Sequence, residues 1–317
     1  MAAMLPITDR SSALDAVRRS ADALSHVPDD LRQDREVVRI AVTRKGRALQ
    51  HAGFDLKSDR SIVLAAVSQD GSALQYAAEE LKSDTEVVLS ALTHDGRAMF
   101  HAAPQLKQDR SFVLVAVHRS ARAMLHAAAE LKQDRDFVLA AVALNSMALA
   151  HVPKLFQGDR EIVLAAVAKT GAALQHATEE LKADRAVAIV AVEGDPVALE
   201  LASADLGTSL VKDECIVEKY LKQHCVLVIS MLSGRSCVFV ASEALDETSM
   251  IILDRCAERL GIRGVIEGST NPELYLDGVA LGTRKISEWP GVGPGQVREV
   301  QLMLSDANKR PRTAEQL

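Results

Sequence analysis

Residues 56–80 read LKSDRSIVLAAVSQDGSALQYAAEE, and residues 106–130 read LKQDRSFVLVAVHRSARAMLHAAAE. The two segments share one frame. Segments starting at Pro6, Leu31, Leu56, Leu81, Leu106, Leu131, Phe156 and Leu181 run for 25 residues each without a gap. A fixed period of this length is the signature of a repeat architecture.

Each position of the unit has a physical job. Position 4 is always Asp, from Asp9, Asp34, Asp59 and Asp84 to Asp109, Asp134, Asp159 and Asp184. An Asp just before an apolar stretch caps a helix, because its carboxylate accepts bonds from otherwise unpaired backbone N–H groups. A first helix of about ten residues is therefore predicted, with Ile62, Val63, Leu64, Ala66 and Val67 as a wide apolar stripe in the third copy. Gly46, Gly71, Gly96 and Gly171 mark a break at position 16, as a tight turn or a close backbone approach would need. Ala121, Ser146 and Pro196 stand there in other copies, so positive φ is not required throughout. A second short helix follows, with Ala at position 18 in all eight copies, as close helix packing favours. One such hairpin buries too little surface to fold alone, whereas stacked hairpins bury a continuous core. The expectation for residues 6–205 is an α-solenoid of eight helical hairpins, a form that usually binds proteins or peptides.

The frame slips after Leu206. Residues 206–224 read as a closing helix and junction, with Tyr220 and Leu221 inward. The pattern then alternates. Cys225, Leu227 and Ile229 lie on one face of a strand, and Cys237, Phe239 and Ala241 on one face of another. A Gly-containing hairpin, Met231 to Arg235, joins them. Asp246 caps a predicted helix to about Leu260, ended by Gly261. Glu273 to Leu276 and Arg298 to Leu304 are further strands, with Asp277-Gly278 as a turn. Residues 305–317 read as a disordered tail.

The repeats resemble a known family of unknown function, built on LKxDRxVVLAAVxxxGxALxxA and found in protists and some intracellular bacteria. That resemblance implies no activity. The stretches CVLVISMLSGRSCVFVASEAL, LYLDGVAL, KISEWPGV and VREVQLML, within residues 225–304, resemble in order the strands and loops of ubiquitin. In KISEWPGV, Ile286 and Trp289 hold the matching apolar and aromatic places, while the loop Ile262 to Pro272 is longer than ubiquitin's. The resemblance implies an α+β β-grasp domain and a docking patch at Leu232, Tyr275 and Met303, positions that alternate with the core. No Gly-Gly follows the last strand, so conjugation is not expected and the domain would act in place.

Other chemistry is thinly represented. His26, His51, His101, His126, His151 and His176 share one repeat position, with Tyr76 and Leu201 in the remaining copies. Ligands must meet within about 2 Å of one ion, whereas packed repeats sit about 10 Å apart, so neighbours in this ladder are not expected to share a metal. Arg10, Arg35, Arg60, Arg110, Arg135, Arg160 and Arg185 follow the cap Asp, with Thr85 as the exception. They are expected to bond acids of the adjacent repeat rather than form a row for acidic ligands. There is no CxxC, HExxH, GxSxG or Walker loop, and Gly291 to Gly295 reads as a plain loop. Cys225, Cys237 and Cys256 read as buried thiols, and Cys215 as a poor nucleophile candidate. A net charge of −6 and 3% aromatic residues argue against nucleic-acid binding. No apolar run is long enough to cross a bilayer, and residues 1–9 hold no secretion signal. Four cysteines with no extracellular cue fit a reducing compartment, so a cytoplasmic site is expected, with Lys309-Arg310-Pro311-Arg312 as a candidate nuclear signal.

The sequence thus predicts a non-enzymatic adaptor without cofactor or metal. The solenoid would bind one protein partner, and the ubiquitin-like domain would dock to a proteasome receptor or ligase. The alternative is a structural scaffold in which the β-grasp domain only caps or dimerises the solenoid.

Overall fold

The computed structural model describes residues 7–212 and the strand segments 225–231, 236–241, 272–276, 279–280 and 297–304. Two compact units divide the chain, Met1–Gln157 and Gly158–Leu317.

Within the first unit the repeat takes one form again and again. The carboxylate of Asp59 accepts the N–H groups of Ser61 and Ile62 at 2.9 and 3.1 Å, and the α-helix Arg60–Gln69 begins there. Asp34, Asp84, Asp109 and Asp134 start the helices Arg35–Arg44, Thr85–His94, Arg110–Arg119 and Arg135–Leu144 in the same way. Each helix stops after ten residues, where position 15 turns extended, with φ −148° and ψ 106° at Asp70. In three copies of this unit a side chain at position 15 also caps the next element: Asp70, Asp95 and Asn145 accept the N–H groups of Ser72, Arg97 and Met147.

That next element is not an α-helix. Gly71–Tyr76 is a 3₁₀ helix, and its bonding is i to i−3, as in Ala73 N–H to Asp70 C=O at 2.8 Å. A third element then appears that the two-helix hairpin omits, the one-turn α-helix Glu79–Lys82. Six residues of 3₁₀ helix place positions 18 and 19 toward the core as two turns of α-helix would, so the apolar pattern does not separate the two forms. The unit is closed by a backbone bond from position 23 to position 2. Gly53, Ala78, Ala103 and Ala128 donate to the carbonyls of Arg32, Lys57, Lys82 and Lys107 at 2.9, 3.0, 2.9 and 2.9 Å. Each copy is thus one complete turn of chain rather than an open hairpin.

Stacking builds the core. Successive ten-residue helices lie beside one another, as do successive 3₁₀ helices, giving solenoid-like layers within this unit. Ile62, Val63, Ala66, Val67, Ala73 and Leu74 are fully buried between layers, and the same positions are buried in the neighbouring copies. Each buried Leu, Ile or Val contributes roughly 1.5–3 kcal/mol through loss of apolar surface from water. The position-16 glycines answer to the layer above. None has a left-handed φ. A Cβ on Gly46 or Gly71 would overlap the carbonyl oxygen of Ala66 or Ala91 in the next copy, so close backbone approach is the reason for glycine.

The second unit repeats the pattern with helices Arg160–Lys169 and Arg185–Gly194 and 3₁₀ helices Gly171–His176 and Pro196–Leu201. Pro196 belongs to the last copy, which has no further repeat above it to crowd. The expected closing helix differs from its prediction: it is Ala204–Leu210, beginning before Leu206. It is the third element of the last copy, lengthened because Ser209, not Asp, stands where a cap would start the next helix. Tyr220 and Leu221 lie outside the described residues, as do the predicted hairpin turn, the helix after Asp246, and Ile286 and Trp289.

Among the described residues five strands follow: β1 (Cys225–Met231), β2 (Ser236–Ala241), β3 (Pro272–Leu276), β4 (Val279–Ala280) and β5 (Val297–Leu304). Their order is β2-β1-β5-β3-β4. β1 and β5 are parallel, and the other neighbours are antiparallel. Register pairs Cys225 with Ala241, Leu227 with Phe239 and Ile229 with Cys237, so the two apolar sets read from the sequence share one sheet face. The edge strand β2 runs beside Pro196–Leu201 and Ala204–Leu210.

Candidate functional site

Two ladders run through the repeats, and they differ in what they leave free. Arg10 donates to Asp34 at 2.6 Å, Arg35 to Asp59 at 3.0 Å, Arg60 to Asp84 at 2.7 Å and Arg110 to Asp134 at 2.5 Å. Arg160 does the same to Asp184 at 2.9 Å within the second unit. Each of these guanidinium groups therefore bonds the cap Asp of the next copy. The pairs are solvent-exposed, so each adds little to stability, and their effect is to tie the caps of neighbouring copies together. Asp59 is held down to about 2, chiefly by the Ser61 hydroxyl and then by Arg35. At Thr85 the ladder breaks, and Asp109 is bonded by the Ser111 hydroxyl instead. The shortened side chain leaves an open groove of about 390 Å³ lined by Thr85, Glu86, Leu89, Ser90, Thr93 and Arg119.

The other ladder lies at the far end of the 3₁₀ helices. Here position 21 carries His in most copies, and position 2 carries Lys or Arg in most. The rings of His51, His101, His126 and His151 are half-buried. Burial pushes all four below the usual imidazole range, and cations push further: Arg32 and Lys57 at His51, Lys82 and Lys107 at His101, Lys107 and Lys132 at His126, and Arg122 at His151. Asp22 and Asp95 oppose this at His51 and His101. Burial also lowers Lys57 and Lys107. His51, His101, His126 and His151 are thus neutral imidazoles among ammonium and guanidinium groups at neutral pH.

A stability consequence follows from the sign of these shifts. The unfolded imidazoles titrate near 6.5 and the folded ones lower, so the unfolded state takes up protons first. Stability contributed by the neutral rings is complete above about pH 6.5 and declines as pH falls below it. A second decline sets in below about pH 4, where the unfolded cap aspartates protonate before the folded ones. The melting temperature measured from about pH 7.5 to about pH 3 should show both steps. His101→Tyr with His126→Tyr, copying Tyr76, should shrink the first step and spare the second. An unchanged first step would dissociate it from these rings.

Two apolar features interrupt this edge. Phe54 is 76% exposed and, with Lys57, Tyr76, Glu79 and Glu80, forms an open groove of about 320 Å³. Further along, Phe100 and Leu125 are 61% and 46% exposed at position 20, where Gln50, Gln75 and Gln175 stand in other copies. The Phe100 ring meets His101 and His126 edge-on, with centroids at 5.1 and 5.5 Å, and Lys107 Nζ sits 5.7 Å from its centre. Lys107 donates to the Phe100 carbonyl at 2.7 Å and Lys132 to the Leu125 carbonyl at 3.1 Å. This cluster is absent from the sequence-based reading. Its signal was available as a departure from the repeat's own pattern at position 20.

Two of the three residues expected in a docking patch lie on described strands. Tyr275 is in β3 and Met303 in β5, and Glu273 is registered with Met303 and Tyr275 with Gln301. Opposite residues share a face, so Tyr275 and Met303 stand on one face of the sheet. Leu232 lies outside the described residues, as do Cys215, Cys256 and the loop Gly291 to Gly295. Among the described residues no group of three or more His, Cys, Asp or Glu could hold a metal. None of the described helices is long and apolar enough to cross a membrane.

Repeated capped helices, 3₁₀ turns and a stacked apolar core define an α-helical tandem-repeat protein. The chain belongs to the family described as "Domain of unknown function (DUF4116)", whose model matches it four times, over residues 9–57, 59–107, 109–157 and 159–207. Each match spans two of the 25-residue turns, and the two compact units divide between the third match and the fourth. No curated protein and no solved structure matches the chain.

Proposed function

We propose that the chain is a non-enzymatic protein-binding adaptor. In this reading the repeats hold one partner, and residues 225–304 form a ubiquitin-like β-grasp domain that docks to ubiquitin-reading proteins such as a proteasome receptor or ligase. The observation that carries the first half is the exposed Phe100–Leu125 pair, fixed on adjacent turns of a stacked framework. Large apolar side chains exposed on adjacent turns favour a docking surface. The second half is supported by the strand order β2-β1-β5-β3-β4 with a parallel central pair and by Tyr275 and Met303 on one face.

One observation favours a second reading. β2 runs beside the last repeat, as a domain that merely caps the repeats would. The test is binding of the purified full chain to purified proteasomes and to a panel of ubiquitin-binding domains, with and without Leu232→Ser, Tyr275→Ser and Met303→Ser together. Circular dichroism checks that the variant folds. Binding lost in the folded variant supports the adaptor. No binding by either form, with a drop in melting temperature for the variant, supports the cap.

A further inference from the structure

The repeats supply their own reference for what is unusual. In two copies, those starting at Leu81 and Leu181, the position-2 ammonium is neutralised by an acid three residues before it, Lys82 by Glu79 and Lys182 by Glu179, both at 2.8 Å. In the copies starting at Leu106 and Leu131 the acid is missing, because Pro104 and Ala129 stand in its place. Lys107 and Lys132 accordingly bond carbonyls and have no carboxylate partner within ion-pair distance among the described residues. Each of these lysines bonds the very residue, Phe100 or Leu125, that has become apolar at position 20. Loss of the acid and gain of an apolar side chain at position 20 coincide in these two adjacent turns, whereas at Lys57 the acid is also replaced, by Phe54, and position 20 keeps Gln50.

We infer that this edge binds an extended acidic peptide segment that places two large apolar side chains on Phe100 and Leu125 and carboxylates on Lys107 and Lys132. The inference rests on the reading of the repeats as a protein-binding surface and names the class of segment they take. Charge decides the partner: at neutral pH Lys107 and Lys132 are cations that bond carbonyls, the His101 and His126 rings are neutral, and the Asp95 carboxylate that acts on His101 is opposed there by both Lys82 and Lys107. The framework decides the spacing. Packed repeats sit about 10 Å apart, and a chain extended in the polyproline II form rises about 3.1 Å per residue with three residues per turn, so two apolar residues three apart would lie on one side at about that spacing. Acids between and beside them would reach the lysines. Carboxylate on ammonium next to buried apolar surface gains from reduced screening, which favours a segment carrying both over one carrying either.

The test is fluorescence anisotropy with the full chain and a labelled peptide, Glu-Asp-Leu-Glu-Asp-Phe-Glu-Asp. Two variants copy residues the chain already uses at these positions, so the fold is preserved. Phe100→Gln with Leu125→Gln follows Gln50 and Gln75. Lys107→Gln with Lys132→Gln follows Gln157, whose amide donates to the Leu149 carbonyl at 3.1 Å. Saturable binding is expected, weakened at least about tenfold by each variant, weakened by salt in the parent and much less so in the lysine variant. A peptide with Ser for Leu and Phe, or Lys for the acids, should bind at least about tenfold more weakly. No saturable binding by the parent overturns the inference, as does equal binding by either variant. Equal or tighter binding of a single-stranded oligonucleotide dependent on the same residues overturns it in favour of nucleic acid. Peptide failure while the chain still binds ubiquitin-reading proteins defeats this inference alone. Peptide binding unchanged by the Leu232, Tyr275 and Met303 substitutions separates it from the C-terminal patch.

Discussion

Phe137→Ala is expected to lower the unfolding free energy of the repeats by about 4 kcal/mol, the range for emptying a buried aromatic site. Phe137 is fully buried at position 7 of its copy, and the Arg110 guanidinium lies 5.3 Å from its ring centre. Truncation would leave a cavity between two layers that are each pinned by their neighbours, so collapse is limited. The repeat offers a built-in control. Position 7 is Val37, Ile62, Val87 or Ile162 in other copies. Phe137→Ile should therefore cost only about 1 kcal/mol, because it keeps apolar volume in a site of known tolerance. Urea unfolding gives the magnitudes. Hydrogen exchange gives the place: in a stacked array each turn is supported by its neighbours, so protection should fall first around residues 110–150. Uniform loss across residues 7–157 would mean that the unit unfolds as one block.

Gly71→Val should cost about 3 kcal/mol, at the upper end of what overpacking a core produces. A branched side chain there meets the Ala91 carbonyl oxygen, which already accepts the Asp95 N–H at 3.0 Å and cannot move without breaking that bond. Ala121→Gly, at the same position of another copy, should change stability by less than about 1 kcal/mol, because that copy already holds a side chain. Thermal and urea unfolding of both variants give the comparison. Near-equal effects would show that position 16 is set by local backbone preference and not by the layer above.

The two variants also show what the sequence could and could not convey. The Asp caps were legible because a carboxylate before an apolar run has a local job, done within three residues. The core positions were legible because periodicity reports burial directly. The second element was not. A six-residue apolar pair looks the same in an α-helix and a 3₁₀ helix, and the deciding feature, the extended residue at position 15, carries no fixed side chain: it is Lys45, Asp70, Ser120 and Asn145 in turn. The one-turn helix was missed because Glu79–Lys82 is too short to show a period. The arginine pairing was foreseen from charge balance, since each Arg follows one cap Asp and faces the next. The Phe100 cluster was readable in principle, yet a lone Phe in an apolar-rich repeat looks like core until the fold shows that position 20 faces outward. The lowered proton affinity of the histidines was not legible, because it depends on burial and on cations brought from other turns.

The backbone bond from position 23 to position 2 has a bearing on how such a chain can vary. It ties the two ends of a turn together across 21 residues, as in Ala78 and Lys57. A single inserted or deleted residue would part that donor from its acceptor and change the spacing between that turn's arginine and the cap of the next turn. Whole turns can be added or removed without disturbing any bond inside the others. The protein is thus a counted object, whose length changes in steps of 25 residues or, by the family's own unit, in pairs of turns. That constraint accounts for eight copies in one unbroken frame, and it leaves diversification to the outward positions, where Phe100, Tyr76 and Thr85 have already departed from the pattern.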